Sequence, residues 1–574
     1  MIVPMSFPWR LAGASILAAG LAAVTLTAQA TADRSSTVEV QILAINDFHG
    51  ALEPPAGANG RIANTLAGGV EFLATHLAQL KATHAHSVVV SAGDNLGGTP
   101  LLSSLFHDEA SVEALNQAGL ELTAVGNHDL DEGWWELYRM TKGGCHPVDG
   151  CQDGTPFNGA RFRYLSANIT LDPRRADSAR VAQAGITGRA PRPLFAPFAI
   201  KEFDGVKVGF IGLTLQGAPR LITPVSTKGL TFAPEPAAAN AAAAELRRRG
   251  VDAIVVLMHE GGVQKGFDPD GCDGISSDIV SLVNRMSTDI DVVVSGHSHV
   301  AYNCAIGTKL LTSASSSGRV VTDIDLTLAR GTGRLVAKRA HNVIVARDVS
   351  ASPEQTAIIA HYRPLAAKVG GRVVGAITTT LSRTFNDAGE AALGDVIADG
   401  MLEIARNTPG AGGDVAFMNQ GGIRAELAAV PGTSPSPVTY AQLFEVLPFG
   451  NVIVVKTLTG DGLVQMLEQQ FGNGGRARIL QPSAGFTYAY DATRPLGQRV
   501  DRASIRINGA PLVPTAKYRV VSIDFIWNGG DEFDIGPTAT DPVTVGTDVD
   551  GFEAYIRTHS PVAPGPQDRV HRQR

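Results

Sequence analysis

Val38 to Gly50 reads VEVQILAINDFHG: an apolar run, broken only by Glu39 and Gln41, that ends in Asn46-Asp47-Phe48-His49-Gly50. A largely apolar run of this length fits a strand buried on both faces. Polar residues at the carboxyl end of such a strand stand where α/β sheets place their ligands. The pattern recurs along the first half of the chain. Val88 to Ser91 leads into Gly93-Asp94-Asn95, and Leu122 to Val125 into Gly126-Asn127-His128-Asp129. Ala253 to Leu257 leads into Met258-His259-Glu260-Gly261, and Val292 to Val294 into Gly296-His297-Ser298-His299. Val206 to Leu213 is a sixth apolar run.

Helical patterns lie between these strands. Val70 to His84 places Val70, Leu73, Leu77 and Leu80 on one face, and Ala237 to Arg249 is Ala- and Arg-rich and stops at Gly250. Strands alternating with helices predict an α/β layered domain, taken as residues 38–346. A helix over Ser352 to Lys368, with Ser352 as N-cap and Pro353 in the first turn, sits in an expected linker, 347–371. A second, α+β domain is expected over 372–557, and a loose Pro-, Gln- and Arg-rich tail over 558–574.

The strand-end motifs combine carboxylates, imidazoles and one amide without a thiolate. That donor set suits zinc, manganese, cobalt or iron. Each motif alone is commonplace, since Gly-Asp is usually a turn. All five at successive strand ends predict one shared site for two divalent ions.

The ordered set D-x-H, G-D, G-N-H-D, H and G-H-x-H resembles the calcineurin-like metallophosphatase superfamily. The longer strings ILAINDFHG, SAGDNLGGTP, GNHDLDEG and SGHSH resemble its secreted 5′-nucleotidase branch, which includes UDP-sugar hydrolases and 2′,3′-cyclic phosphodiesterases. The resemblance covers nearly the whole chain after the leader. It implies an N-terminal four-layered α/β/β/α metallophosphatase domain and a C-terminal α+β 5′-nucleotidase substrate-binding domain. It also implies that Asp47, His49 and His299 hold one metal ion, that Asn127, His259 and His297 hold the other, and that Asp94 bridges them. His299 stands where the branch often has Gln or Asn, and Asp129 where Glu is common. Two cations would neutralise a phosphate ester and lower the pKa of a water, so no covalent intermediate is required. His128 is expected to stabilise the transition state and protonate the leaving group, with Asp131 orienting it. A purely structural His–Asp pair is the alternative.

Three strings in the second half bear on the substrate: Asn419-Gln420-Gly421-Gly422-Ile423-Arg424, Leu447-Pro448-Phe449-Gly450-Asn451 and Phe525-Ile526-Trp527-Asn528-Gly529-Gly530-Asp531. Taken alone, the two Phe residues are either rings at Gly-containing turns, able to sandwich a base, or core residues. The resemblance favours the first, with Phe449 and Phe525 as base clamp, Asp531 on ribose, and Asn419 and Arg424 completing the pocket. Gln420 replaces a Gly common in the branch. Arg383 is a further candidate for the phosphate, although its spacing fits the pattern less cleanly. The expected function is a 5′-nucleotidase. The alternatives are a 2′,3′-cyclic-nucleotide phosphodiesterase/3′-nucleotidase or UDP-sugar hydrolase with the same site, or a non-catalytic nucleotide-binding protein.

Hydrophobic residues make up 44% and charged residues 18% of 574, a globular balance. A net charge of −7 argues against a nucleic acid polymer as partner. Arg10, the apolar stretch Leu11 to Ala28, and Thr27-Ala28-Gln29-Ala30 have the layout of a secretory signal, 1–30, cleaved near Ala30. The mature chain is expected to start near Thr31, secreted or periplasmic and without a stable membrane anchor; an uncleaved anchor is the alternative. Four cysteines allow three pairings; the expected one is Cys145–Cys151 and Cys272–Cys304, and free thiols are the alternative.

Overall fold

The computed structural model describes residues 36–251, 253–472 and 477–574, so the expected export signal lies outside the described residues. Two six-stranded sheets form the first half. One runs Leu335–Ile344, Val320–Ala329, Thr37–Ile45, Ser87–Ser91, Leu120–Ala124 and Arg163–Leu165 in spatial order. The other runs Ala301–Ile306, Lys309–Ala314, Val292–Ser295, Ala253–His259, Val206–Thr214 and Phe198–Phe203. The strands that carry the motifs are parallel to their motif-bearing neighbours, so their carboxyl ends lie on one side of each sheet.

Side-chain alternation explains the apolar runs. Ile42, Ala44, Val88 and Val90 point between the sheets and meet Val208, Phe210, Val255 and Leu257. Leu43, Ile45 and Val89 belong to a second core with residues of the helices Val70–Lys81, Glu109–Ala118 and Trp134–Lys142. Ile211, Leu213, Ile254 and Val256 belong to a third with Glu235–Arg248 and Ser277–Asn284. Both faces of both sheets are therefore buried, and the layers run α/β/β/α. Cys145 pairs with Cys151 and Cys272 with Cys304. Among the described residues no helix is long and apolar enough to cross a membrane.

The helix Pro353–Gly370 is capped by Ser352, whose hydroxyl accepts the Gln355 N–H. Its Ile359, Tyr362 and Ala366 join the core of the first domain, with the Tyr362 ring 4.7 Å from that of Phe106. Beyond it, a five-stranded sheet runs Gln481–Pro482, Val415–Met418, Lys517–Ile523, Val452–Thr459 and Thr540–Thr547. Helices Ala392–Asn407 and Asp548–Thr558 pack against each other beside it.

The tail differs from its reading as loose. Val570–Arg572 is a strand parallel to Phe486–Tyr490. The Arg569 guanidinium donates to both Asp399 oxygens, at 2.7 and 2.8 Å, and to the Pro482 carbonyl at 2.8 Å. The buried Glu390 carboxylate accepts the Arg569 and Val570 N–H groups. A Pro- and Arg-rich composition reports propensity; here a half-buried ion pair decides instead. Arg569→Ala is expected to cost about 3–5 kcal/mol, the penalty for stranding a buried partner, and to expose the last residues to carboxypeptidase. Denaturant titration and timed digestion check both.

Candidate active site

All five strand-end motifs meet on one side of the two sheets. Asp47, His49, Asp94, His297 and His299 adopt left-handed backbone, with φ of 50°, 45°, 51°, 69° and 58°. Such conformations are rare for non-Gly residues and cluster at functional sites. Backbone bonds hold them: Asp47 N–H donates to the Gly93 carbonyl and His49 N–H to that of Asp94. Gly126 is required by a close approach, since a Cβ there would lie 2.0 Å from Asp94 Oδ1.

The donors gather around two points. Asp47, His49 and His299 form one group and Asp94, His259 and His297 another, the ligand atoms of each lying within 4.8 Å of one another. His49 Nε2 is 3.1 Å from His299 Nε2, and His299 Nε2 is 3.2 Å from Asp47 Oδ1. Asn127 Oδ1 lies 3.1 Å from His259 Nε2. Asp94 Oδ2 faces both groups, 2.9 Å from His259 Nε2 and 3.7 Å from His49 Nε2. The imidazoles are oriented from behind. His49 Nδ1 lies 2.8 Å from the Gly97 carbonyl, and His259 Nδ1 lies 3.0 Å from that of Ala92. A carbonyl only accepts, so Nδ1 carries the proton and Nε2 is turned toward the centre, as in metal-ligating histidines.

The electrostatics fit a cation. Burial disfavours charge on His259, yet the Asp94 carboxylate pushes its pKa up to about 10. Burial and the nearby His259 pull His297 down to about 3, which leaves it neutral and able to ligate. Asp129, which stands where Glu is common, has a structural part here. Its carboxylate accepts the backbone N–H groups of Gly126, Asp94, Asn95 and Leu96 at 2.7–3.1 Å, tying two motif loops together. Burial and the charge of Asp94 push its pKa up to about 7.

His128 stands beside this centre. Its N–H donates to Asp94 Oδ1 (2.8 Å), and its Nδ1 lies 2.9 Å from Asp131 Oδ2. Burial opposes the imidazolium, but Asp131 and Asp94 raise its pKa above the ordinary value. The second domain supplies the opposite wall. Antiparallel pairing of Val452–Thr459 with Lys517–Ile523, in the register Ile453↔Ile523, brings the loops of Phe449 and Phe525 to one edge. Parallel pairing of Val415–Met418 with the same strand adds Asn419, whose Nδ2 donates to Asp531 Oδ2 at 2.8 Å.

One cavity of about 270 Å³ is lined by Asn127, His128, Asp131 and His297 from the first domain and by Asn419, Arg424, Phe449, Phe525 and Asp531 from the second. Phe449 is stacked on His128, with ring centroids 5.2 Å apart, and Arg424 lies over its ring. Arg383 does not line this cavity. It donates to the Arg424 carbonyl and borders a neighbouring depression with His49 and His299. Arg478, which also lines the cavity and donates to the Asp531 carbonyl, carries no signal in the sequence beyond its place in an Arg-Ala-Arg string after a Gly-rich stretch.

Residues 40–301 match the family model for calcineurin-like phosphoesterases, and residues 373–536 that for the 5′-nucleotidase C-terminal domain. A cell wall protein of Listeria monocytogenes is 31% identical over 561 residues, covering 92% of this chain and 68% of that protein. An endonuclease of Bacillus subtilis is 30% identical over 548 residues, covering 93% of this chain but 41% of its own length. The structure of a 5′-nucleotidase precursor from Thermus thermophilus aligns with a TM-score of 0.74 at 27% identity, covering 93% of this chain and 99% of that one. The phosphoesterase fold implies divalent metal ions, and the donor set described above fits them.

Removing the Asp129 carboxylate strands four buried backbone donors, each worth about 1–3 kcal/mol when unpaired. Asp129→Ala is expected to destabilise the fold by at least about 2 kcal/mol and to lower metal content. Urea denaturation and elemental analysis of the variant check this.

Proposed function

The chain belongs to the 5′-nucleotidase family of calcineurin-like phosphoesterases, metal-dependent hydrolases of phosphate esters, and we propose that it converts nucleoside 5′-monophosphates to nucleoside and phosphate. The single cavity that joins His128 and Asp131 to Phe449, Phe525 and Asp531 carries this reading. Asp47, His49 and His299 would hold one divalent ion, and Asn127, His259 and His297 the other, with Asp94 between them; zinc, manganese and cobalt suit these donors. When bound, the ions would neutralise phosphate charge and lower the pKa of a water.

The chain's own residues do the remaining work. Asp131 holds His128 by Nδ1, leaving Nε2 to donate to a phosphate oxygen and then to the leaving alkoxide. Arg424 and Arg383 add positive charge on the phosphate side. Phe449 and Phe525 take the base by stacking, and Asp531 accepts from ribose hydroxyls. The Phe449 ring lies on His128, so a base can slide between Phe449 and Phe525 only if the domains part. The helix Pro353–Gly370 packs on the first domain, which supports a hinge at its carboxyl end, 368–371. The two disulfides support an exported enzyme. The endonuclease relative supports a second reading, in which the same site cleaves phosphodiesters.

After chelation, AMP hydrolysis by the chain is expected to return with zinc, manganese or cobalt. His128→Ala should lower kcat by about 10²–10⁴. Phe525→Ala should raise KM for AMP by about 5- to 150-fold, the worth of one stacked base, and leave hydrolysis of p-nitrophenyl phosphate unchanged. Equal loss on both esters would sink the base clamp, and faster release from bis-p-nitrophenyl phosphate than from AMP would favour the second reading. A disulfide engineered across the cleft is expected to abolish turnover until it is reduced; full activity in the oxidised form would remove the hinge.

A further inference from the structure

A second cluster of metal-type donors lies behind the His128–Asp131 turn. His107, Glu132, Glu136 and His146 each offer a ligand atom, and these atoms lie within 4.8 Å of one another. Three separate segments supply them. His107, itself in left-handed backbone with φ 50°, precedes the helix Glu109–Ala118. Glu132 and Glu136 flank the start of the helix Trp134–Lys142. His146 sits inside the loop closed by Cys145 and Cys151.

Several contacts point to a ligand. His107 Nδ1 is 2.7 Å from Glu132 Oε2, and the His107 and His146 rings stack at 3.8 Å and 19°. Asp149 Oδ2, from the same disulfide loop, lies 3.0 Å from His107 Nε2 and from His146 Nδ1. Glu136 is 5% exposed. Its Oε1 holds Arg139 at 2.7 Å, while its Oε2 is buried with no hydrogen-bond partner. A buried carboxylate oxygen left unpaired is costly unless something occupies its lone pairs. The cluster opens into a cavity of about 150 Å³ that His128, Asp131 and Phe449 line from the other side.

We propose that His107, Glu132, Glu136 and His146 bind one divalent d-block cation of the zinc class, at a site separate from the pair of positions around Asp94. Two imidazoles and two carboxylates supply four N and O donors, the number a tetrahedral ion takes. Contraction to the roughly 3.4 Å donor spacing of a tetrahedral ion with bonds of about 2.1 Å needs shifts of the order of an ångström. The bound ion ties the disulfide loop to the turn that carries Asp131, and so braces the partner of His128 from behind. Arg139, paired with Glu109 at the rear, orients Glu136. The site does not depend on which ester the enzyme hydrolyses.

The test is elemental analysis of the whole chain equilibrated with excess zinc and desalted, beside a zinc-edge anomalous difference map of its crystals. His107→Ala/His146→Ala and the surface variant Glu132→Gln are each expected to hold one zinc fewer per chain than the parent. The map is expected to show a peak between His107 and His146, apart from those at Asp94. Equal zinc content in parent and variants overturns the site. A map with peaks at Asp94 and none at His107 overturns it too, whether or not the double variant folds.

Discussion

The shared carboxylate of Asp94 is the constraint around which the first domain is arranged. Its Oδ2 faces His259 from one sheet and His49 from the other, and its Oδ1 takes the N–H of His128. One side chain therefore fixes the distance between two strand-end clusters and the place of the histidine beside them. That position is reached only because Gly126 leaves room for it and because Asp94 accepts a left-handed backbone. Strain of this kind costs of the order of 1–3 kcal/mol per residue, and five of the seven expected ligands carry it. Rigid surroundings are needed to hold it, and three fully buried cores on and between the sheets provide them.

The first domain was legible because its signals are local. An apolar run followed by Asp, Asn or His is visible within a dozen residues, and the parallel order of the strands then brings the ends together. The ligand groupings around Asp94 follow from that placement. Asp129 was not legible as a tie, because its four donors come from 94–96 and 126, and no local pattern marks a carboxylate that accepts only backbone. Composition misread the tail for the same reason. Arg569 is held by Asp399 and Pro482, far away in sequence.

The second domain follows a different logic. Its three motif strings lie far apart in the sequence, and nothing in their spacing requires them to meet. The register Ile453↔Ile523 and the parallel pairing of Val415–Met418 with Lys517–Ile523 bring them to one edge. Binding chemistry there is a property of the sheet, not of any one loop. Arg383, read from its own segment as a further arginine for the phosphate, stands in the structure beside Arg424 in a depression bordered by His49 and His299.

The contact between the domains links the two halves of the chemistry. Phe449 lies on the imidazole of His128 and beneath the guanidinium of Arg424, so an apolar ring from one domain covers the proton-bearing group of the other. A stacked ring excludes water from that face and leaves the hydrogen bond from His128 to Asp131 to set the tautomer. The ring face of Phe449 is thereby satisfied by the histidine of the other domain. In the nucleotidase reading proposed above, a base that took the place of the histidine ring would exchange one stack for another at little net cost in stacking energy. Charge adds to this contact: Asp94, Asp131 and Asp47 offset part of the cost of burying the Arg424 guanidinium.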